Sequence, residues 1–455
     1  MLLTVLAFLV ALGLLIAIHE YGHYRMAVAC GVKVLRFSIG MGPALLRWRS
    51  ARSGTEFVLA ALPIGGYVRM LDEREGVVAP EERHRAFNTQ PLRARAAIVA
   101  AGPLANLLLA VLLYSIVNWV GIQAPQAVVA SPLPGSLSAQ AGLRAQDWVQ
   151  AMQFAGQEQA QSVRSFDDIR WLLTQAVVHG QDAQLQVTDA NGLRARTVFL
   201  PLSSIQTADV DAALLERIGI VTPWTSPVVG ALLPEQPAQR AGLKQGDRVL
   251  SVDGKPIADA SQLRTLVRSA TTGQAQRWQV ERDGQVLDVV LTPDVVSDPT
   301  LPGQTMGRIG AMLGTTPKMV LVQYGWWEGL LAGVQRTWEI GLLSLKMLGQ
   351  MLIGEASVKN LSGPLTIADY AGKSASMGPM QYVLFLALIS VSLGVLNLLP
   401  LPVLDGGHLM YYLWEAVTGR AVSDAWMQGL QRVGVGVLLL MMGVALFNDV
   451  QRLLA

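Results

Sequence analysis

The chain has 455 residues, a length for roughly three ordinary domains. Hydrophobic residues make up 51% and charged residues only 15%, against about 25% charged in a typical soluble domain. A formal charge of +2 leaves no basic footprint for nucleic acid, and one cysteine, Cys30, excludes an internal disulfide framework. With a mean hydropathy of +0.38, part of the mass belongs in lipid.

The charge deficit is concentrated. Met1 to Ile18 carry no charged side chain, nor do the 48 residues from Ala96 to Leu143, the 31 from Ser374 to Leu404, or the 16 from Val433 to Asn448. A bilayer core needs about 20 apolar residues in a helix. Four spans are predicted: Leu2–Ala29, Ala96–Val120, Met380–Leu399 and Leu430–Phe447, the last with Arg432 snorkelling at one end. The N-terminal span does not read as a cleaved signal peptide, because no basic stretch precedes it and His19, Glu20, His23 and Arg25 fall where small apolar residues belong.

Between Cys30 and Arg95 lie 11 Lys/Arg and 6 Asp/Glu, so the positive-inside rule puts this loop in the cytoplasm. Both termini and the long middle region then lie outside. That middle region repeats itself. Val128-Val129-Ala130 matches Val228-Val229-Gly230, Ala141-Gly142-Leu143-Arg144 matches Ala241-Gly242-Leu243-Lys244, and Asp147-x-Val149 matches Asp247-x-Val249, each pair 100 residues apart. The second copy ends in alternating strands around the turn Asp283-Gly284. The first has Gln146 where the second has the turn glycine Gly246. Further on, apolar residues recur every three or four positions over Trp326–Ile353, interrupted by Glu328, Arg336, Glu339 and Lys346. That pattern fits an amphipathic helix on the membrane surface or a core helix of the neighbouring domain.

The chemistry sits at the end of the first span. His19-Glu20-Tyr21-Gly22-His23 reads H-E-x-x-H. On a helix both imidazoles share one face and can reach one metal ion, and the glutamate is placed to deprotonate a metal-bound water. Ionisable residues closing an apolar helix are expensive, and such residues mark function more often than a helix end. A catalytic zinc takes three protein ligands and keeps an open position. The best third ligand is Asp405, the first charge after the 31 uncharged residues, in Asn397-x-x-Pro400-x-Pro402-x-Leu404-Asp405-Gly406-Gly407. His19 lies about 27 Å along the first span at 1.5 Å per residue. The first and third spans run the same way, so both motifs arrive near the cytoplasmic side. His408 is a second candidate ligand, with an exposed loop histidine as the better reading.

Two resemblances follow. Ala241 to Gly254 resembles the A-G-L-x-x-G-D signature of PDZ domains in bacterial envelope proteases, which implies two tandem PDZ domains that bind extended peptides or act as a steric filter. The HEYGH motif, Gly102-Pro103-Leu104-Ala105-Asn106 and the Asn397–Gly407 motif together resemble the site-2 proteases of M50 type, most of all the proteobacterial branch that regulates sigma-E. The resemblance implies a zinc intramembrane endopeptidase of the bacterial inner membrane. Its active site would lie within the membrane near the cytoplasmic side, with one Zn2+ held by His19, His23 and Asp405 and Glu20 as general base. Its partners would be membrane lipid and single-pass membrane protein substrates: an anti-sigma factor already trimmed by a site-1 protease, and remnant signal peptides. Asn397 and Ser392 would handle substrate; Ser392 stands where close relatives carry asparagine. Gly40, Gly42, Gly65 and Gly66 would belong to a membrane-re-entrant β element that clamps an unwound substrate, or to ordinary hairpin turns.

The expected architecture is a multi-pass α-helical membrane protein with two inserted extracytoplasmic PDZ domains. Residues 1–120 would hold the first two spans and the cytoplasmic and re-entrant loop, 121–222 and 223–315 the PDZ domains, 316–379 an amphipathic juxtamembrane segment, and 380–455 the last two spans. A protease using a glutamate as third ligand fits less well, since no second-helix glutamate motif is present. A non-catalytic adaptor displaying PDZ modules is the rival from another class. A transporter is weaker still, for want of an inverted repeat.

Overall fold

The computed structural model describes residues 2–205, 213–298, 303–353 and 363–454. Four helices are long and apolar enough to cross a membrane. The first is Leu2–Ala29, the second Leu92–Val120, the third Pro379–Leu398, and the fourth occupies Ala425–Gln451 of the helix Asp424–Leu454. The expected first three spans agree to within a few residues; the fourth helix is much longer than the 18 residues of its charge-poor core. In lipid each helix must satisfy its own backbone, so unbroken ladders are the only economical solution.

The described residues fall into two compact units: one formed by residues 2–122, 323–349 and 363–454, the other chiefly by those between 123 and 322. In the first unit small residues set how closely the spans approach. A Cβ on Gly22 would sit 2.3 Å from the Ala101 carbonyl oxygen of the second span, and one on Gly394 would sit 3.0 Å from that of Pro103. The first and third spans therefore both rest on the second. The helix Trp326–Leu352 also packs along the second span: Asn118 donates to the Gly329 carbonyl at 2.9 Å, and a Cβ on Gly333 would meet Ser115 Oγ at 2.6 Å. Its other face leaves Trp327, Leu331, Trp338 and Leu345 exposed.

Between the first two spans, Val34–Arg49 and Glu56–Met70 are two long bent strands. Residues 36–39 pair on one side with 66–69 and on the other with 56–59, and 56–60 pair in turn with 44–49. Two bent strands thus lie as four segments side by side, joined by three ladders. Gly40 (φ 87°), Gly42 (φ 89°) and Gly65 (φ 73°) sit at the bends, where a left-handed backbone favours glycine.

At the other end of this unit, the Asp449 carboxylate caps the helix Pro364–Met377, accepting from the backbone N–H of Gly363 (2.9 Å), Leu365 (3.0 Å) and Thr366 (3.1 Å). A Cβ on Gly363 would lie 2.5 Å from Asp449 Oδ2, which is a physical reason for the Gly363-Pro364 step.

The second unit holds two four-stranded sheets with the same order of elements. In the first, Gln161–Ser162, Trp148–Phe154, Ala183–Thr188 and Arg196–Leu200 lie side by side, with the helix Phe166–Val178 contributing Ile169, Leu173 and Val177 to the core. In the second, the order is Lys255–Pro256, Arg248–Val252, Gln276–Arg282 and Gln285–Leu291, with Leu263 and Val267 of the helix Ala260–Arg268 packed on Trp278 and Val280. Asp283 (φ 51°) and Gly284 (φ 77°) make the predicted tight turn.

The A-G-L motif has a structural job in both sheets. Asp247 accepts from the Lys244 backbone N–H at 2.8 Å and is gripped by Arg282 Nε at 2.6 Å and Nη2 at 2.7 Å. Asp147 accepts from the Arg144 N–H at 2.7 Å and is paired with Arg196. Gln146 takes the left-handed turn (φ 69°) that Gly246 takes at φ 98°, a conformation that strains a residue with a Cβ by about 1 kcal/mol or more.

Candidate metal centre

The HEYGH segment stays helical to Ala29, so His19 and His23 stack one turn apart as their spacing requires. Asp405 reaches them from the third span. That helix ends at Leu398, the Leu399–Leu404 stretch with its two prolines turns the chain, and a new helix opens at Asp405 and runs to Thr418. The turn tolerates no side chain at Gly406 or Gly407, whose Cβ atoms would lie 2.2 Å from the Leu399 oxygen and 2.3 Å from the Leu401 oxygen.

The three side chains converge. His19 Nε2 is 3.1 Å and His23 Nε2 is 3.4 Å from Asp405 Oδ2, and the two Nε2 atoms are 3.2 Å apart. His23 Nδ1 lies 2.8 Å from the Ile98 carbonyl oxygen. That oxygen can only accept, so Nδ1 carries the proton and Nε2 the lone pair. Asp405 Oδ2 is buried with no hydrogen-bond partner among the described residues. Three acceptors facing one another repel unless a cation lies between them. Zinc bonds of 2.0–2.1 Å at tetrahedral angles put neighbouring donors about 3.3 Å apart, and the observed spacings fit that set. Among the described residues, this trio is the group of His, Cys, Asp and Glu able to hold one ion.

Glu20, between the histidines, is buried at 9% exposure. The sheet touches it through Gly66, whose Cβ would lie 2.8 Å from Glu20 Cγ and 2.9 Å from Ile16 Cγ2. Gly66 thus reaches the centre, while Gly40, Gly42 and Gly65 serve the bends. Asn397 and Ser392 donate to the Leu393 and Leu388 carbonyls of their own helix at 3.0 Å and 3.1 Å; neither has a described hydrogen bond to the trio. His408 is not the exposed loop residue expected. It is half-buried on the helix that Asp405 opens, edge-on to Tyr411 with ring centroids 5.9 Å apart. It lines a cavity of about 520 Å³ with Asp72, Arg74, Arg95 and Glu415.

Two residues of the second span escape a reading by motif spacing. Gly102 makes room for the His23 ring: a Cβ there would lie 2.2 Å from Nε2. Asn106, fully buried, has its amide 3.3 Å from His19 Nδ1. Both stand in the Gly102–Asn106 motif, which was visible in the sequence without a role.

Four helices of membrane-spanning length and a converging His–His–carboxylate trio able to hold one ion are the marks of a membrane metalloprotein. The model of peptidase family M50 matches residues 7–441. Over 99% of both chains the sequence is 43% identical to a protein of Ralstonia nicotianae named as a zinc metalloprotease. It is 38% identical to the regulator of sigma-E protease RseP of Salmonella typhimurium and to that of Escherichia coli, over 98% of each chain. Among solved structures, GtR34C from Geobacillus thermodenitrificans matches 18% of this chain and 90% of its own at 32% identity, with a TM-score of 0.15, too low to bear on the fold. The chain belongs to peptidase family M50, the site-2 proteases, and is a zinc metalloprotease.

Proposed function

We propose that this protease cuts the transmembrane segment of single-pass membrane proteins, with zinc held by His19, His23 and Asp405. The convergence of those three side chains from the first span and the exit of the third carries the reading. Zinc supplies Lewis acidity to the scissile carbonyl and the attacking water. Glu20 takes the proton from that water and returns it to the departing amide nitrogen. The buried surroundings keep bulk water from competing for these charges.

A helical peptide bond is shielded by its own hydrogen bonds, so the substrate has to be extended before attack. The 66–69 segment is an outer edge of this four-segment sheet, and Gly66 lies against Glu20. A substrate strand added there passes the general base, with main-chain hydrogen bonds replacing those lost from the helix. Asn397 and Ser392, on the last turns of the third span, then contact the substrate beyond the scissile bond.

The basic loop between the first two spans favours a cytoplasmic site and extracytoplasmic termini in a bacterial inner membrane. The two sheet-and-helix modules of the second unit are read as PDZ domains on that outer side. The names of the Salmonella and Escherichia relatives favour an anti-sigma factor as the principal substrate, with remnant signal peptides as further ones. Glu20→Gln tests the mechanism: the variant should retain zinc and fold while losing cleavage of a model transmembrane substrate by at least about 100-fold, in line with the weight of a general base. Retained cleavage would rule out the assigned base.

A further inference from the structure

Asn106 is polar, fully buried, and placed on a helix that contributes no metal ligand. Its side-chain amide faces His19 Nδ1 at 3.3 Å through Nδ2, while Oδ1 is buried without a hydrogen-bond partner. An amide nitrogen aimed at Nδ1 would donate to it, forcing the ring proton onto Nε2 and removing the lone pair that faces Asp405. Oxygen and nitrogen of an amide are interchanged by a half-turn and are assigned from their partners. Turned over, Oδ1 takes the Nδ1–H of His19, Oδ1 gains a donor, and Nε2 is freed towards the trio.

We infer that Asn106 is a positioning residue that fixes His19 in the Nδ1–H tautomer and so holds its Nε2 as a metal ligand. The inference rests on the ligand assignment proposed above. Asn106 plays for His19 the part that the Ile98 carbonyl plays for His23, and both acceptors come from the second span. The amide is itself held in depth: Ser390 Oγ, fully buried on the third span, donates to the Asn106 backbone oxygen at 2.7 Å. Acceptors behind metal-bound histidines set ring orientation and basicity, and losing one typically weakens metal affinity 10- to 100-fold.

The test is zinc affinity of the full-length protein in detergent, by competition with a chromophoric chelator, for wild type, Asn106→Asp, Asn106→Leu and His19→Ala. Aspartate keeps the acceptor; leucine keeps the approximate shape and removes it. Zinc affinity should follow Asp at or above Asn, with Leu roughly 10- to 100-fold weaker, while metal-free unfolding temperatures of the Asp and Leu variants differ little. Leucine binding zinc like wild type, or aspartate failing as leucine does, would overturn the role of Asn106. Undiminished affinity in His19→Ala would instead overturn the ligand assignment, and the inference with it.

Discussion

At Gly102 two residue-scale effects oppose each other. Alanine is the better helix former by about 1 kcal/mol, yet its Cβ would lie 2.2 Å from His23 Nε2 and 2.6 Å from Cε1. The His23 ring cannot give way freely, because Nδ1 is tied to the Ile98 oxygen at 2.8 Å. Packing therefore wins, and Gly102→Ala should weaken zinc binding about 10- to 100-fold, with cleavage falling at least as far. Chelator competition beside a cleavage assay measures both; wild-type values would show that the ring has room to move. The candidate ligands themselves were legible, since two histidines one helical turn apart and a lone aspartate after 31 uncharged residues stand out against an apolar background. Gly102 and Asn106 were not, because an uncharged residue within a span declares its role only through what it touches.

At the scale of elements, apolar run length was enough to place the spans, and the period of two around Asp283-Gly284 was enough to place a hairpin. The bent sheet was less legible. Its glycines signalled turns, but that residues 36–39 serve two ladders at once depends on pairing between strands. The helix Trp326–Leu352 was predicted within a residue of its end, while its seat along the second span comes from small residues meeting across helices. In the second sheet module the Asp247 clamp carries a pH consequence. Burial pushes its carboxyl up, but the Arg282 guanidinium and the Lys244 N–H outweigh this and hold it below the ordinary carboxylate value. A depressed carboxylate stabilises the fold above its unfolded pKa, about 3.9, and that contribution fades as pH falls through the lower folded value. Asp247→Asn should therefore lower the unfolding temperature of the module by several degrees at pH 7 and by progressively less below about pH 4. Hydrogen exchange of the strands Arg248–Val252 and Gln276–Arg282 at both pH values measures it; an equal loss at both would show that the charge is not what matters.

At the scale of the whole molecule, the candidate centre joins the first span to the helix that follows the third, across most of the chain's length. A ligand that binds only the folded state stabilises it in proportion to the logarithm of its excess, about 4 kcal/mol at a thousandfold excess over Kd. Stripping zinc should abolish cleavage, lower the unfolding temperature by several degrees and leave helix content nearly unchanged, since each span satisfies its own backbone. Circular dichroism before and after chelation, with restoration by added zinc, checks all three; an unfolding temperature indifferent to zinc would remove the metal as a tie between the spans. The sequence by itself determined the membrane class, the four spans and the four residues richest in chemistry, because charge scarcity and helical spacing are local properties. Only the tertiary structure decided that the second span sets the Ile98 carbonyl behind His23 and the Asn106 amide behind His19, that Gly66 lies against Glu20, and that His408 lines a cavity with Asp72 and Arg74. Those facts depend on contacts between residues far apart in the chain, and a glycine or a backbone carbonyl carries no mark of the neighbour it will meet.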